Sequence, residues 1–310
     1  MLARDFTVSR VSSYRPAIEH VVTGLLGTME RESSPADIVT AVAEPLPAAV
    51  ICMLLGLPLE DADFFRTQLA AWMSLDNTAE ESLAAANAIR DYFASVVDAR
   101  TGSSGDDIVS RLIRDHLATG DLTHDELLHM LHLLLTGGFD TTVGTIALGT
   151  IALLEHPDQV QALRADPDLV PGAVEEVLRY TSVTHHTAYR LARSDLEING
   201  QQVQAGTGII APVSVANRDP EQFSRPDVLD IRRDAQSHVA FGAGVHQCLG
   251  QALARLELQV LFGQLFQRFP TLRLVAATTD LEYTNAMVYG VKRVPVAWDA
   301  GAATGQGPVE

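Results

Sequence analysis

One cysteine sits where its sulfur can do chemistry. Cys248 ends the run Phe241-Gly-Ala-Gly-Val-His-Gln-Cys248, continues into Leu249-Gly250, and lies just ahead of a helical pattern beginning near Leu249. Gly242 and Gly244 permit tight turning, so backbone N–H groups can approach the sulfur closely. A helix N-terminus favours thiolate over thiol, which predicts a lowered pKa for Cys248. Phosphate binding is the competing use of such glycines, but position 247 is glutamine and no strand leads directly into the run. The reading that fits is a metal centre held by a single thiolate, with backbone hydrogen bonds tuning its electron donation. The alternative is a small buried cysteine beside a glycine-rich turn.

A second run, Gly137-Gly-Phe-Asp140-Thr141-Thr142, lies inside a long apolar stretch. Paired glycines, and a hydroxyl able to bond a backbone carbonyl, let a helix open locally beside a small ligand. Asp140 and Thr141 then supply a carboxylate and an alcohol for relaying protons. A helix crossing at small residues, with Asp140 tied to an arginine, is the alternative. Glu176 and Arg179, at i and i+3, share a helix face. His185 and His186 are adjacent on an extended segment, point oppositely, and read as pocket lining rather than a metal pair. His124, His129 and His132 fall on the long helix with no third ligand evident, and Cys52, within VICMLLG, reads as core.

The elements that must position these groups are mainly helical. Apolar periodicity predicts helices from about Ser12 to Glu30, from Asp37 to Leu55 (capped by Asp37), Asp61–Leu75, Ala79–Arg100 and Asp106–Thr119. Thr123 and Glu126 form a capping box that opens a helix running to Leu154, with further helices near 157–165 and 171–180. After Thr181 a hairpin is expected around Leu196–Val203, then a strand over Thr207–Val215, a turn-rich stretch to Gln236, a helix from Leu249 to Phe269 and short strands to Val296. The 310 residues carry 22 Lys+Arg against 39 Asp+Glu, a formal charge of −17, with 47% hydrophobic residues. That composition excludes a disordered chain and argues against a nucleic-acid or anionic-membrane binder. Two cysteines exclude a disulfide framework and point to a reducing cytoplasm, and MLARDFTVSR has no apolar signal region. Thr136–Leu154 is apolar enough to suggest a membrane span, but Asp140 near mid-membrane would cost about 3 kcal/mol, so a buried helix is expected.

FGAGVHQCLG, continued by Leu253-Ala-Arg-Leu-Glu257, resembles the haem-binding signature of the cytochrome P450 superfamily. Gly137–Thr142 resembles its oxygen-binding segment, and Glu176–Arg179 its E-x-x-R pair, completed by Arg233. EPLPAAVICMLLGLPLEDADFF and PGAVEEVLRY are similar to the soluble actinobacterial members. The resemblance implies a mainly α fold: a helical prism with a small β-rich region, one domain over 1–298 and a disordered tail over 299–310. It implies haem b ligated by Cys248 iron–thiolate coordination in the loop formed by Phe241, Gly242 and Gly250. Arg190 and His246 then match the propionate partners, and Met73, Leu135, Phe139, Val183, Thr184, Met287 and Val288 the substrate pocket. The implied activity inserts one atom of O2 into a small hydrophobic organic substrate. Electrons come from NAD(P)H through a separate ferredoxin and ferredoxin reductase, since the chain has no flavin or iron–sulfur motif. No nucleic-acid or membrane partner is expected. Against the family pattern the chain begins near the end of the C helix. The resemblance therefore implies that the preceding helices and strands are missing, leaving an open strand edge and a haem pocket with one wall facing water, or an oligomer that covers the gap. A haem-binding remnant without turnover, and a non-enzymatic partner-binding helical protein, are the competing functions.

Overall fold

The computed structural model describes residues 1–32, 34–102, 104–185 and 189–299. The expected tail from residue 300 onward lies outside the described residues. The principal helices are α1 (Arg15–Arg31), α2 (Pro45–Leu55), α3 (Ala62–Met73), α4 (Ala79–Arg100), α5 (His124–Leu154), α6 (Pro157–Ala165), α7 (Val170–Thr181) and α8 (Gln251–Arg268). Shorter helical turns fill the gaps, and the strands pair into small antiparallel ribbons.

The spine is α5. Its start is fixed chemically: the Thr123 hydroxyl accepts the Glu126 N–H at 3.2 Å, and Glu126 Oε2 accepts the Thr123 N–H at 2.8 Å. Its length and apolarity would suffice to cross a membrane, yet 67% of its most apolar window is buried inside the fold. Helices α2, α4, α6, α7 and α8 pack around it. Close approach needs small residues. A Cβ at Gly149 would lie 2.7 Å from Val177 Cγ1 of α7 and 3.0 Å from the Phe262 ring of α8, and one at Gly144 would lie 2.7 Å from the Tyr289 carbonyl oxygen. These contacts lock the helix that carries Asp140 against the helix that follows Cys248. To the other side, Phe64 and Phe65 of α3 stack and edge against Tyr92 and Phe93 of α4.

Helix α7 anchors the irregular segment that leads to the cysteine. Glu176 and Arg179 are fully buried and joined by two hydrogen bonds of 2.7 and 2.8 Å. Arg233 Nε donates to Glu176 Oε1 at 3.2 Å, and the Asp230 N–H reaches the same oxygen at 2.9 Å. The remaining guanidinium donors go to backbone carbonyls: Asn217, Pro226 and Val228 from Arg179, and Ser224, Arg225 and Val228 from Arg233.

The strands are short. β1 (Ala36–Asp37) and β6 (Arg273–Leu274) flank β7 (Pro295–Ala297) in one sheet. β2 (Tyr189–Leu191) pairs with β5 (Gly208–Ile210), and β3 (Leu196–Ile198) with β4 (Gln201–Val203). The β2–β5 ribbon has two strands, and Tyr189, Leu191 and Ile210 on it are exposed. Three expectations need correction. The strand read over Thr207–Val215 stops at Ile210, because Pro212 has no N–H for a ladder and starts the helical turn Val213–Ala216. The helix read over Asp106–Thr119 is Ile108–Leu112 followed by a wide turn at Ile113–Leu117. Asp37 lies in a strand, and its Oδ1 accepts the N–H groups of both Val39 and Val294, tying a helical turn to the C-terminal sheet.

Gly149→Ala should destabilise the chain by about 1–3 kcal/mol, since neither Val177 nor the Phe262 ring can give way freely in the packed core. Urea unfolding measures it, and part of the loss should return in a Val177→Ala background. A Gly149→Ala chain as stable as the parent would contradict this packing.

Candidate functional site

The cysteine loop is built on two left-handed glycines. Gly242 has φ +69° and Gly244 +74°, a region that costs other residues strain. The loop closes on itself: the Gly242 N–H donates to the Val239 carbonyl at 2.8 Å, Gln247 to Gly244 at 3.1 Å, and Cys248 to Phe241 at 2.8 Å. Cys248 Sγ accepts the backbone N–H groups of Gly250 and Gln251, where α8 begins. Burial pushes the Cys248 thiol up, and these two N–H groups and the positive charge of Arg255 offset it only in part. The expectation of a thiol lowered by the helix terminus is corrected here, since desolvation outweighs the helix. A cation at the sulfur reverses the balance by replacing the proton. The other face of the loop is open, with Val245 97% exposed and His246 in an exposed turn over Gly244–His246. A sulfur that already receives two backbone N–H bonds, beside an uncovered apolar loop, is a donor set that fits the iron and face of a haem.

On α5, Thr141 Oγ1 donates to the Gly137 carbonyl at 2.8 Å, one turn back. Asp140 is largely buried, and its Oδ2 has no hydrogen-bond partner among the described residues. Burial, with the like charge of Glu44 beside it, pushes the Asp140 carboxyl up to about 7. No arginine pairs with Asp140 among the described residues, so the ion-pair alternative finds no support there. Arg66 instead lies 3.5 Å from Glu44.

The pocket residues separate into two groups. The loop from Tyr283 to Val291 runs from the end of α3 to α5: Ala286 bridges to Ser74, the Leu75 N–H reaches the Asn285 carbonyl, and the Tyr289 N–H donates to the Val183 carbonyl at 2.9 Å. Val183 and Val288 both flank Gly144. Met73, Val183, Thr184, Met287 and Val288 are thus carried by segments tied to one another, with Met287 60% exposed. Leu135 and Phe139 are corrected: they are 0% and 3% exposed and belong to the packed core. The uncovered face of α5 carries His129, Leu133 and Gly137 instead. Both faces of this helix are apolar, so periodicity could not tell them apart.

Arg190 is exposed on β2 opposite Ile209, its Nη1 bonded to the Tyr189 carbonyl. The ring of His185 stacks on Tyr289, which stacks on Tyr283, while His186 lies outside the described residues. Sequence reasoning missed a cluster of Glu175, His238 and Arg255 next to the loop. The doubled acid at Glu175–Glu176 was its only signal. It also gave Glu257 no role and took His132 as an ordinary helix residue. Glu257 is buried in α8, pushed up to about 8 by burial, with Oε2 unpartnered. His132 Nε2 is likewise unpartnered, and the ring meets Trp72 edge-on.

The chain matches the Cytochrome P450 family model over residues 59–278. It is 43% identical over 299 residues to cytochrome P450-SU2 of Streptomyces griseolus, covering 96% of this chain and 73% of that protein. It is 42% identical to the pentalenic acid synthase of Streptomyces avermitilis, covering 96% and 74%. Its backbone superposes on the crystal structure of cytochrome P450 MoxA from Nonomuraea recticatena with a TM-score of 0.88 at 40% identity, over 96% of this chain and 74% of that one. With that agreement, a sulfur poised for iron and a buried acid beside an alcohol have one common explanation: the chain belongs to the cytochrome P450 family of haem-thiolate monooxygenases.

Proposed function

We propose that residues 1–298 form one domain that holds haem b through Cys248 and inserts one atom of O2 into a small hydrophobic organic substrate. Electrons come from NAD(P)H by way of a ferredoxin and its reductase, in the cytoplasm, where Cys248 stays reduced. The observation that carries the reading is the cysteine loop, whose backbone N–H groups converge on one sulfur beside an open apolar face.

The haem, when bound, supplies the redox chemistry between O2, electrons and substrate. The chain supplies the setting. Cys248 gives the thiolate, and the N–H groups of Gly250 and Gln251 temper its charge. Phe241, Gly242 and Gly250 shape the loop against the macrocycle, and Arg190 and His246 are the donors assigned to its propionates. Met73, Val183, Thr184, Met287 and Val288, with Leu133 and Gly137 on the open face of α5, exclude water and hold the substrate. Asp140 and Thr141 deliver protons. An acid near 7 is close to half protonated at neutral pH, so Asp140 can both give and regain a proton. Its unpartnered Oδ2 leaves that proton uncommitted. The Thr141 hydroxyl, held on the Gly137 carbonyl, is the alcohol assigned to the relay.

Thr141→Ala should preserve haem binding but divert reducing equivalents to hydrogen peroxide. With a surrogate ferredoxin and reductase and ethoxycoumarin as a probe substrate, product per NAD(P)H should fall by about 10- to 100-fold while peroxide rises. Unchanged coupling would contradict the proton relay.

The raised Asp140 carboxyl also links stability to pH. Its unfolded value is near 3.8 and its folded value about 7. The folded chain therefore keeps a proton that the unfolded chain gives up as pH rises from about 4 to about 7, and stability falls across that window. Asp140→Asn cannot ionise, so its stability relative to the parent should rise from pH 4 to 7 by about 4 kcal/mol and stay level above. Denaturant melts at fixed pH values measure it, and an advantage independent of pH would contradict the buried acid.

A further inference from the structure

Adjacent acids on α7 serve different segments. Glu176 holds the stretch from Asn217 to Arg233, as described above. Glu175 faces the cysteine loop and α8. Its Oε1 accepts Arg255 Nε at 2.7 Å, and its Oε2 accepts Arg255 Nη2 at 2.9 Å, a bidentate fork. The same Oε2 lies 3.1 Å from His238 Nε2. His238 Nδ1 accepts the Ala240 N–H at 3.1 Å, which places the ring proton of a neutral imidazole on Nε2, facing the carboxylate. The imidazole is 1% exposed and the carboxylate 12%. Burial alone would push the Glu175 carboxyl up; the hydrogen bonds from His238 and Arg255 and the positive charge of Arg255 overturn this and hold it down at about 2.

Both partners of Glu175 reach the loop. The Arg255 guanidinium sits 4.5 Å from the centre of the Phe241 ring, over its face, and the His238 ring is 5.8 Å from the same ring. The Phe241 carbonyl accepts the Cys248 N–H. Arg255 is steadied from its own helix by Gln251 Oε1 at 2.9 Å. Arg255 also supplies the positive charge that acts on the Cys248 sulfur. One buried carboxylate thus sets both where the loop lies and how much positive charge its sulfur feels.

We propose that Glu175 is the positioning residue of the thiolate site, holding the cysteine loop through His238 and Arg255 and neutralising the Arg255 charge beside the sulfur. The proposal rests on the haem-thiolate reading of Cys248. It separates Glu175 from Glu176, whose partners lie earlier in the chain.

Two measurements on the full 310-residue chain test it. In the haem-free protein, amide hydrogen exchange over residues 240–248 should be about tenfold faster in Glu175→Gln than in the parent, with the amides of α5 unchanged. Arg255→Lys, which keeps the charge and loses the fork, should fall between the two. In the haem-loaded protein, reduction adds negative charge at the iron, so an uncompensated cation favours it. The reduction potential should therefore rise in Glu175→Gln and fall in Arg255→Gln. Parent-like exchange in the loop of Glu175→Gln would overturn the proposal, as would potential shifts of the same sign in the two variants. A parent chain that binds haem without thiolate ligation would overturn the haem reading alone, because the exchange result on haem-free protein is independent of it.

Discussion

A sulfur is placed in this protein by a stretch of chain with little regular structure, and the buried carboxylate of Glu176 is what makes that possible. Between Ala216 and Gly250 there is one short helical turn at Gly244–His246, and otherwise turns and bends. Such backbone does not hold itself, because it lacks the repeating hydrogen bonds of a helix or sheet. The Glu176–Arg179–Arg233 cluster supplies those bonds from the side, sending guanidinium donors to five different carbonyls and taking one backbone N–H. Two charges with 0% exposed side chains are costly to desolvate, and an apolar replacement of equal volume could be as stable. What an apolar cluster lacks is direction. The ion cluster fixes register in a segment whose sequence pattern does not, and every guanidinium nitrogen finds a partner.

A different kind of anchoring holds α5. Asp140 and Thr141 need a rigid carrier, and α5 provides it by crossing the molecule with its start capped and its glycines pressed against α7, α8 and the 289 loop. Rigidity there is purchased by packing rather than by polar bonds, which leaves Asp140 as an uncompensated acid in an apolar setting. Its high pKa is the direct result. The segment before the cysteine loop is thus held by ions and α5 by close contact, and each kind of anchoring leaves its mark on the chemistry of the groups it carries.

Much of this was legible before any coordinates. The glycine turns of the cysteine loop, the capping box at Thr123, the long helix and the shared helix face of Glu176 and Arg179 are local patterns set by near neighbours in sequence, and the structure shows each of them. What stayed hidden depends on neighbours far apart in sequence. The role of Glu175 is not legible in the sequence, since His238 and Arg255 lie 63 and 80 positions away. Leu135 and Phe139 are expected in the substrate pocket but are buried, while Leu133 and Gly137 are the exposed residues, because an all-apolar helix gives no phase. The strand read through Val215 failed for a local reason, Pro212, which breaks ladders. The expected lowering of the Cys248 thiol failed because burial is a tertiary quantity. The chain spans about three quarters of the length of the relatives it matches.

The central claim is that Cys248 binds haem iron as a thiolate. The most direct measurement is the absorption spectrum of the reduced, carbon-monoxide-treated chain after haem reconstitution. The account predicts the strongly red-shifted Soret band of thiolate ligation in the parent and its loss in Cys248→Ser. A parent chain that takes up no haem, or a Cys248→Ser chain that keeps the shifted band, would contradict it.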